Sequence, residues 1–203
     1  ILKHFKCDDC EANCKPKARR PSAVPKSYRF NHVVGIDLVE VRDANNENQY
    51  WLNSLCWGTN QQQVSPVIDR NKTAENVWHT FVEQWIRPYG LPDVVVCDPG
   101  TEFEGYFGDM CQARAPWQNG KTERAGGTWK HRFKVCQRKC QPVDQAEHET
   151  LGKLCCAAGN RYSNRSGYSP DQRVFGYNHR LPNLSLIHIS EHTRQAEISY
   201  AGF

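Results

Sequence analysis

No stretch of the 203 residues approaches the roughly 18 consecutive apolar residues that a bilayer-spanning helix needs. No signal-peptide apolar core follows the opening Ile1-Leu2-Lys3. A membrane span and a secretory leader are therefore not expected. Methionine occurs once and does not open the chain, so a piece of a longer protein is expected. Ten cysteines fall short of the roughly 8–10% of a disulfide scaffold. Cys56, Cys97, Cys155 and Cys156 lie inside apolar runs, where a free thiol behaves as a small hydrophobe. Reduced cysteines and an intracellular setting are the expectation. Charged residues make up 24% of the chain and hydrophobic ones 38%, which excludes highly charged disorder. Internal repeats and low-complexity tracts are also lacking.

What is present is enough chain for one domain with a core of its own. The net charge of +4 is modest, but its distribution is uneven. Residues 1–30 carry eight Lys or Arg against three acids, and residues 121–139 carry seven against one. Two basic zones around a near-neutral middle fit a polyanionic partner, although either alone is commonly a solvated face. Residues 1–30 hold Pro16, Pro21 and Pro25 and few apolar side chains, so they read as a basic linker.

From residue 31 the texture changes. His32–Val41 reads as a buried strand interrupted by one acid, with further strands over Gln49–Trp57 and Gln63–Ile68. Thr73–Trp85 carries an apolar stripe at helical spacing, and Pro88, Gly90 and Pro92 are expected to end it. Val94–Cys97 reads as a short buried strand running into Asp98. Helices are expected over about Thr101–Cys111, Lys121–Lys139 and Gln145–Asn160. Three strands, a helix, a strand and then mostly helices describe an α/β layer with a mixed sheet.

Asp37 and Asp98 stand out among the acids. One interrupts an apolar strand and the other ends a valine run, at the strand ends where open α/β sheets form ligand sites. A carboxylate in such a place needs a cation or a donor, although a salt bridge or turn cap satisfies either one singly. Glu123 opens the long basic helix about 120° around from Trp129, off the buried stripe and beside Lys130 and Lys134. Surface ion pairs account for it as readily as a metal site that handles phosphates.

Taken together, several ordered blocks resemble one family. They are Gly35-Ile36-Asp37, Asp98-Pro99-Gly100-Thr101-Glu102-Phe103 and Asn119-Gly120-Lys121-Thr122-Glu123-Arg124. Asn160–Pro170 and Val174–Pro182 follow downstream. These blocks resemble the catalytic core of retroviral and LTR-retrotransposon integrases, part of a Pol polyprotein. The resemblance implies a ribonuclease H-like α/β fold over residues 31–183, a mixed sheet flanked by helices. It implies catalytic and metal-binding roles for Asp37, Asp98 and Glu123, which would hold two Mg²⁺ or Mn²⁺ ions. It implies 3′-end processing and strand transfer of retroelement DNA into target DNA, by a nuclease and polynucleotidyl transferase working as a homo-multimer. Asn119 and Lys130 would contact the DNA end, with Lys121, Arg124 and Lys134 adding backbone attraction. Nucleus or retroelement particle would be the location. Cys7 and Cys10 resemble the last half of the family's upstream zinc module, so Zn²⁺ is expected in the full-length protein only.

Two places depart from that pattern. Asp98 and Glu123 are 25 residues apart, where the family usually has about 35. The shortfall falls most plausibly near Cys111–Arg114, so the fifth, edge strand of the sheet is expected to be lost. Residues 184–203 resemble translated sequencing-adapter read-through and are set aside, including the pair His188 and His192. A catalytically inactive remnant that at most binds nucleic acid, and a ribonuclease H-type nuclease, are the rival readings.

Overall fold

The computed structural model describes residues 29–43, 45–98, 100–103, 107, 111–113, 119–162 and 167–179, with residues 102 and 111–113 described by their backbone only. Cys7 and Cys10 lie outside the described residues, as does the segment from 180 onward.

The first three strands form a meander. Strand β1 (Val33–Arg42) pairs antiparallel with β2 (Asn48–Cys56), which pairs antiparallel with β3 (Gln62–Pro66). The chain then crosses over through α1 (Ala74–Phe81), capped by the Thr73 hydroxyl, which accepts from the Asn76 amide. Pro88 does not end this helix, contrary to the sequence expectation. The backbone widens into a π-helical stretch over Val82–Ile86 and runs on through α2 (Arg87–Tyr89). A widened turn absorbs the hydrogen bond that proline cannot donate. Gly90, at φ 78° and ψ 179°, takes a positive-φ conformation open to glycine and stops the helix.

Strand β4 (Val94–Val96) returns parallel to β1, and β5 (Cys111–Ala113) pairs parallel with β4. The sheet order is β3-β2-β1-β4-β5. The fifth strand expected to be lost is therefore present, although only three residues long. Thr101–Phe103 forms a 3₁₀ turn, and Cys111 belongs to β5 rather than to the end of a helix. One strand residue adds about 3.3 Å and one helical residue 1.5 Å, so the three residues of β5 reach further than three helical ones would.

Two long helices follow, α3 (Gly120–Cys140) and α4 (Gln145–Arg161), then the short α5 (Pro170–Phe175). Strand alternation separates two cores. Val34, Ile36, Leu52 and Val95 face Val77, Phe81 and Trp85 of the first crossover. Val39, Val41, Trp51 and Val64 face Trp129, Phe133, Leu151 and Cys155 of α3 and α4. Cys56, Cys97, Cys155 and Cys156 are buried free thiols, as their apolar neighbours implied.

His148 sits fully buried against Trp51 and Phe133, and its Nε2 pairs with the Arg42 carbonyl at 3.0 Å. Burial lowers its pKa from the ordinary 6.5, outweighing the Arg42 hydrogen bond and the nearby Asp43 and Glu149 carboxylates. The unfolded chain thus takes up a proton that the fold resists. This contribution to stability is complete above the unfolded value and is lost as the pH falls below it. We expect Tm to hold from about pH 8 to 7 and to fall from roughly pH 6.5 to 5. His148→Gln should flatten that slope. Equal slopes for the two proteins in a thermal melt series would refute this origin.

Candidate active site

The site is built where α3 begins, over one face of the sheet. On β1 that face carries Val33, Gly35, Asp37, Val39 and Val41, because successive strand residues alternate sides. Asn53 lies directly across from Asp37 on β2 and so shares its face. The helix confirms which face this is. Asn53 Nδ2 donates to the Thr122 carbonyl at 3.0 Å, and a Cβ on Gly126 would meet Val39 and Asn53. Asp37 therefore lies under the first turns of α3, flanked by residues that touch the helix.

The parallel ladder positions Asp98. Val33, Val34 and Gly35 pair with Val94, Val95 and Val96. Asp98 follows β4 two residues after Val96, the last residue paired with β1, which it meets at Gly35. Asn119 ties β1 to the segment that follows β4. Its Nδ2 donates to the Ile36 carbonyl at 3.1 Å and to Asp98 Oδ1 at 3.2 Å. The Asn119 side chain is fully buried, and its Oδ1 has no hydrogen-bond partner.

A clasp holds this turn to the sheet. Trp57 Nε1 donates to Thr122 Oγ1 at 3.0 Å, and the Lys121 ammonium donates to the Trp57 carbonyl. Gly35 lies beneath, where any Cβ would run into the Thr122 hydroxyl and the Trp57 indole. Burial lowers the pKa of Lys121, and repulsion from Arg173 adds to the effect.

Glu123 sits in the first turn of α3 and is exposed on its flank. A carboxylate is favourable at that end of the helix dipole. Arg124 and Lys134 are exposed, and Lys130 is half-buried. The structure thus brings Asp98 and Asn119 together beside Ile36, with Asp37 next along β1, and leaves Glu123 exposed on the helix flank. Among the described residues, no three His, Cys, Asp or Glu side chains form a set that can hold a metal ion. The donor chemistry of the centre nonetheless fits a small divalent cation. Asp37 and Asp98 are hard oxygen donors, whereas Asn119 turns its amide nitrogen to Asp98 and keeps its buried Oδ1 on the Gly35 side.

The fold has counterparts among solved structures. The HTLV-2 integrase catalytic core domain in complex with magnesium, in its trimeric form, superposes with a TM-score of 0.59 at 15% identity. The match covers 78% of this chain and all of that one, 100%. The dimeric form gives a TM-score of 0.58 at 17% identity, covering 70% of this chain and 95% of that one.

The fold is that of a retroviral integrase catalytic core.

A larger example of the integrase-core fold is a chain of the simian T-cell lymphotropic virus intasome, in complex with the PP2A regulatory subunit B56 gamma. It matches with a TM-score of 0.64 at 14% identity. That match covers 88% of this chain and 64% of the intasome chain. No protein-family profile and no curated protein sequence matches the chain. Among the described residues, no helix is long and apolar enough to cross a membrane.

Three contributors to the site were not singled out in the sequence: Trp57, Asn53 and the Thr122 hydroxyl. Their only signal was polarity inside apolar strands and at a helix start, which does not say what each one meets.

Proposed function

We propose that the chain is the catalytic core of a retroelement integrase, a polynucleotidyl transferase that trims and joins DNA ends. The observation that carries this reading is buried Asn119 at the start of α3, whose amide nitrogen joins the Ile36 carbonyl, next to Asp37, to Asp98 Oδ1. Asp37 and Asp98 hold the divalent cations, with Glu123 as the third carboxylate from the first turn of α3. Bound Mg²⁺ or Mn²⁺ supplies Lewis-acid charge at phosphoryl oxygens and makes water a better nucleophile.

The chain's own residues do the positioning. Asn119 orients the Asp98 carboxylate and fixes the helix start against β1. Lys130 lies two helical turns beyond Glu123, where its ammonium meets a DNA phosphate. Lys121, Arg124 and Lys134 add attraction for the backbone. On this reading the protein works as a homo-multimer on DNA, in the nucleus or the retroelement particle. The Cys7 and Cys10 pair completes a zinc module only in the full-length protein.

The test is Mg²⁺-dependent joining of a labelled blunt duplex to a plasmid. Products that require Mg²⁺ or Mn²⁺ and disappear with chelator support the reading. Lys130→Ala should cut crosslinking to end-mimicking duplexes several-fold, and unchanged crosslinking would remove Lys130 from the DNA path. The 25-residue Asp98–Glu123 interval favours one rival, a catalytically silent nucleic-acid-binding remnant. Salt-sensitive binding with no joining at any metal concentration would establish that rival.

A further inference from the structure

A chain of buried amides runs from the start of α3 to the end of α4. At its first link Asn53 Nδ2 donates to the Thr122 carbonyl at 3.0 Å. Asn53 Oδ1 in turn accepts from Gln62 Nε2 at 2.8 Å. The main chain of Gln62 carries the connection onward. Its N–H donates to Asn160 Oδ1 at 3.0 Å, and its carbonyl accepts from Asn160 Nδ2 at 2.7 Å. Cys156, one turn before Asn160 on α4, donates its thiol to the same carbonyl at 3.3 Å. Asn53, Gln62, Thr122 and Asn160 are all buried.

Each link has one workable direction. The Thr122 carbonyl can only accept, so Asn53 turns its nitrogen there and its oxygen to Gln62, which must then donate. Strand β3 is the end strand of the sheet, so the outward N–H and carbonyl of Gln62 have no neighbouring strand. The carboxamide of Asn160 takes that strand's place and satisfies both groups. Reversing any one amide would set like against like in a buried place, where an unmet polar group is costly.

The chain ends beside the candidate active site. Asn53 lies directly across from Asp37 on β2, and Thr122 is the residue before Glu123. A Cβ on Gly126, one turn along α3, would come within 3.0 Å of Asn53 Nδ2, so helix and amide are in close contact. Resting on the integrase reading, in which Glu123 joins the two aspartates, we propose that Asn53, Gln62 and Asn160 are positioning residues. They fix the first turn of α3, and with it Glu123, against β2 next to Asp37. Gln62 and Asn160 act through Asn53. Asn160, which opens one of the ordered sequence blocks, thereby gains a part in the site.

The test compares Gln62→Met, Gln62→Glu and Asn160→Leu with Val77→Ala, all in the full chain. Methionine keeps the length of glutamine but gives Asn53 no donor, whereas glutamate sets an acceptor against Asn53 Oδ1. Val77 is buried in the core on the other face of the sheet, so Val77→Ala lowers Tm without touching these amides. Hydrogen–deuterium exchange read by mass spectrometry should show faster uptake over residues 120–127 in both Gln62 variants and in Asn160→Leu. Uptake there should stay parental in Val77→Ala. The kcat for Mg²⁺-dependent joining should fall about tenfold in Gln62→Met and further in Gln62→Glu, while KM for the duplex changes less than about twofold. Val77→Ala should keep the parental kcat. A lowered Tm with parental uptake over residues 120–127 in Gln62→Met overturns the proposal. An equal fall of kcat in Val77→Ala also overturns it, because the amides would then serve stability alone. A parent that joins no DNA with any metal removes the integrase reading instead, and the exchange pattern then decides the anchoring by itself.

Discussion

Asp37→Asn should abolish Mg²⁺-dependent DNA joining, by about a thousandfold or more, while salt-sensitive DNA binding stays within twofold of the parent. Asparagine keeps the size of the side chain and its place on β1 between Gly35 and Val39. What it removes is an anionic oxygen on the face covered by α3. A thousandfold loss corresponds to about 4 kcal/mol, the scale of one lost charge-stabilising group at a reacting phosphate. Asp98→Asn should behave alike and should also disturb Asn119, which donates to Asp98 Oδ1. Glu123→Gln is the informative comparison, because Glu123 lies exposed at the rim. A loss equal to that of Asp37→Asn makes it the third carboxylate. Retained joining in Glu123→Gln leaves a two-carboxylate site, and parallel loss of binding and joining in Asp37→Asn would sink the metal assignment.

Gly35→Ala should unfold the site from underneath. The added Cβ enters the space held by the Thr122 hydroxyl and Trp57 Nε1, which are hydrogen-bonded to each other at 3.0 Å. It also lies 3.1 Å from Asn119 Oδ1. The helix start has little freedom to retreat, because Asn53 and Lys121 anchor the same turn. Overpacking of this kind costs about 2–3 kcal/mol, or roughly 5–10 °C in Tm for a domain of this size. Joining should fall further than stability alone requires, since displacing α3 moves Asn119 off Ile36 and Asp98. Gly35→Ala with a parental Tm and full joining would show that α3 does not need this close approach.

Much of the fold was legible because its elements carry strong local patterns. The alternating and continuous apolar runs of β1 and β2 and the stripes of α1, α3 and α4 each bury a face that periodicity alone reveals. The ordered blocks around Asp37, Asp98 and Glu123 pointed to the fold that the solved integrase cores share. Three expectations gave way to tertiary context. Pro88 stays inside a helix because the turn before it widens. Thr101–Cys111 is not one helix, since Cys111 joins β5. That strand is present despite the short interval, because three residues suffice to pair with β4.

The residues themselves determined that two isolated carboxylates end or interrupt buried strands and that a basic helix follows them. They could not determine which residues of β1 and β4 lie side by side. That depends on the parallel register of β1 with β4, which is set by the crossover between them and not by either strand alone. Nor could they assign Lys121 to the Trp57 carbonyl or Asn119 to Ile36 and Asp98 at once, because the contacts to Trp57 and Ile36 join residues more than sixty positions apart. Local sequence encodes which face of an element is apolar, and only packing of the elements decides which polar groups are driven together between them.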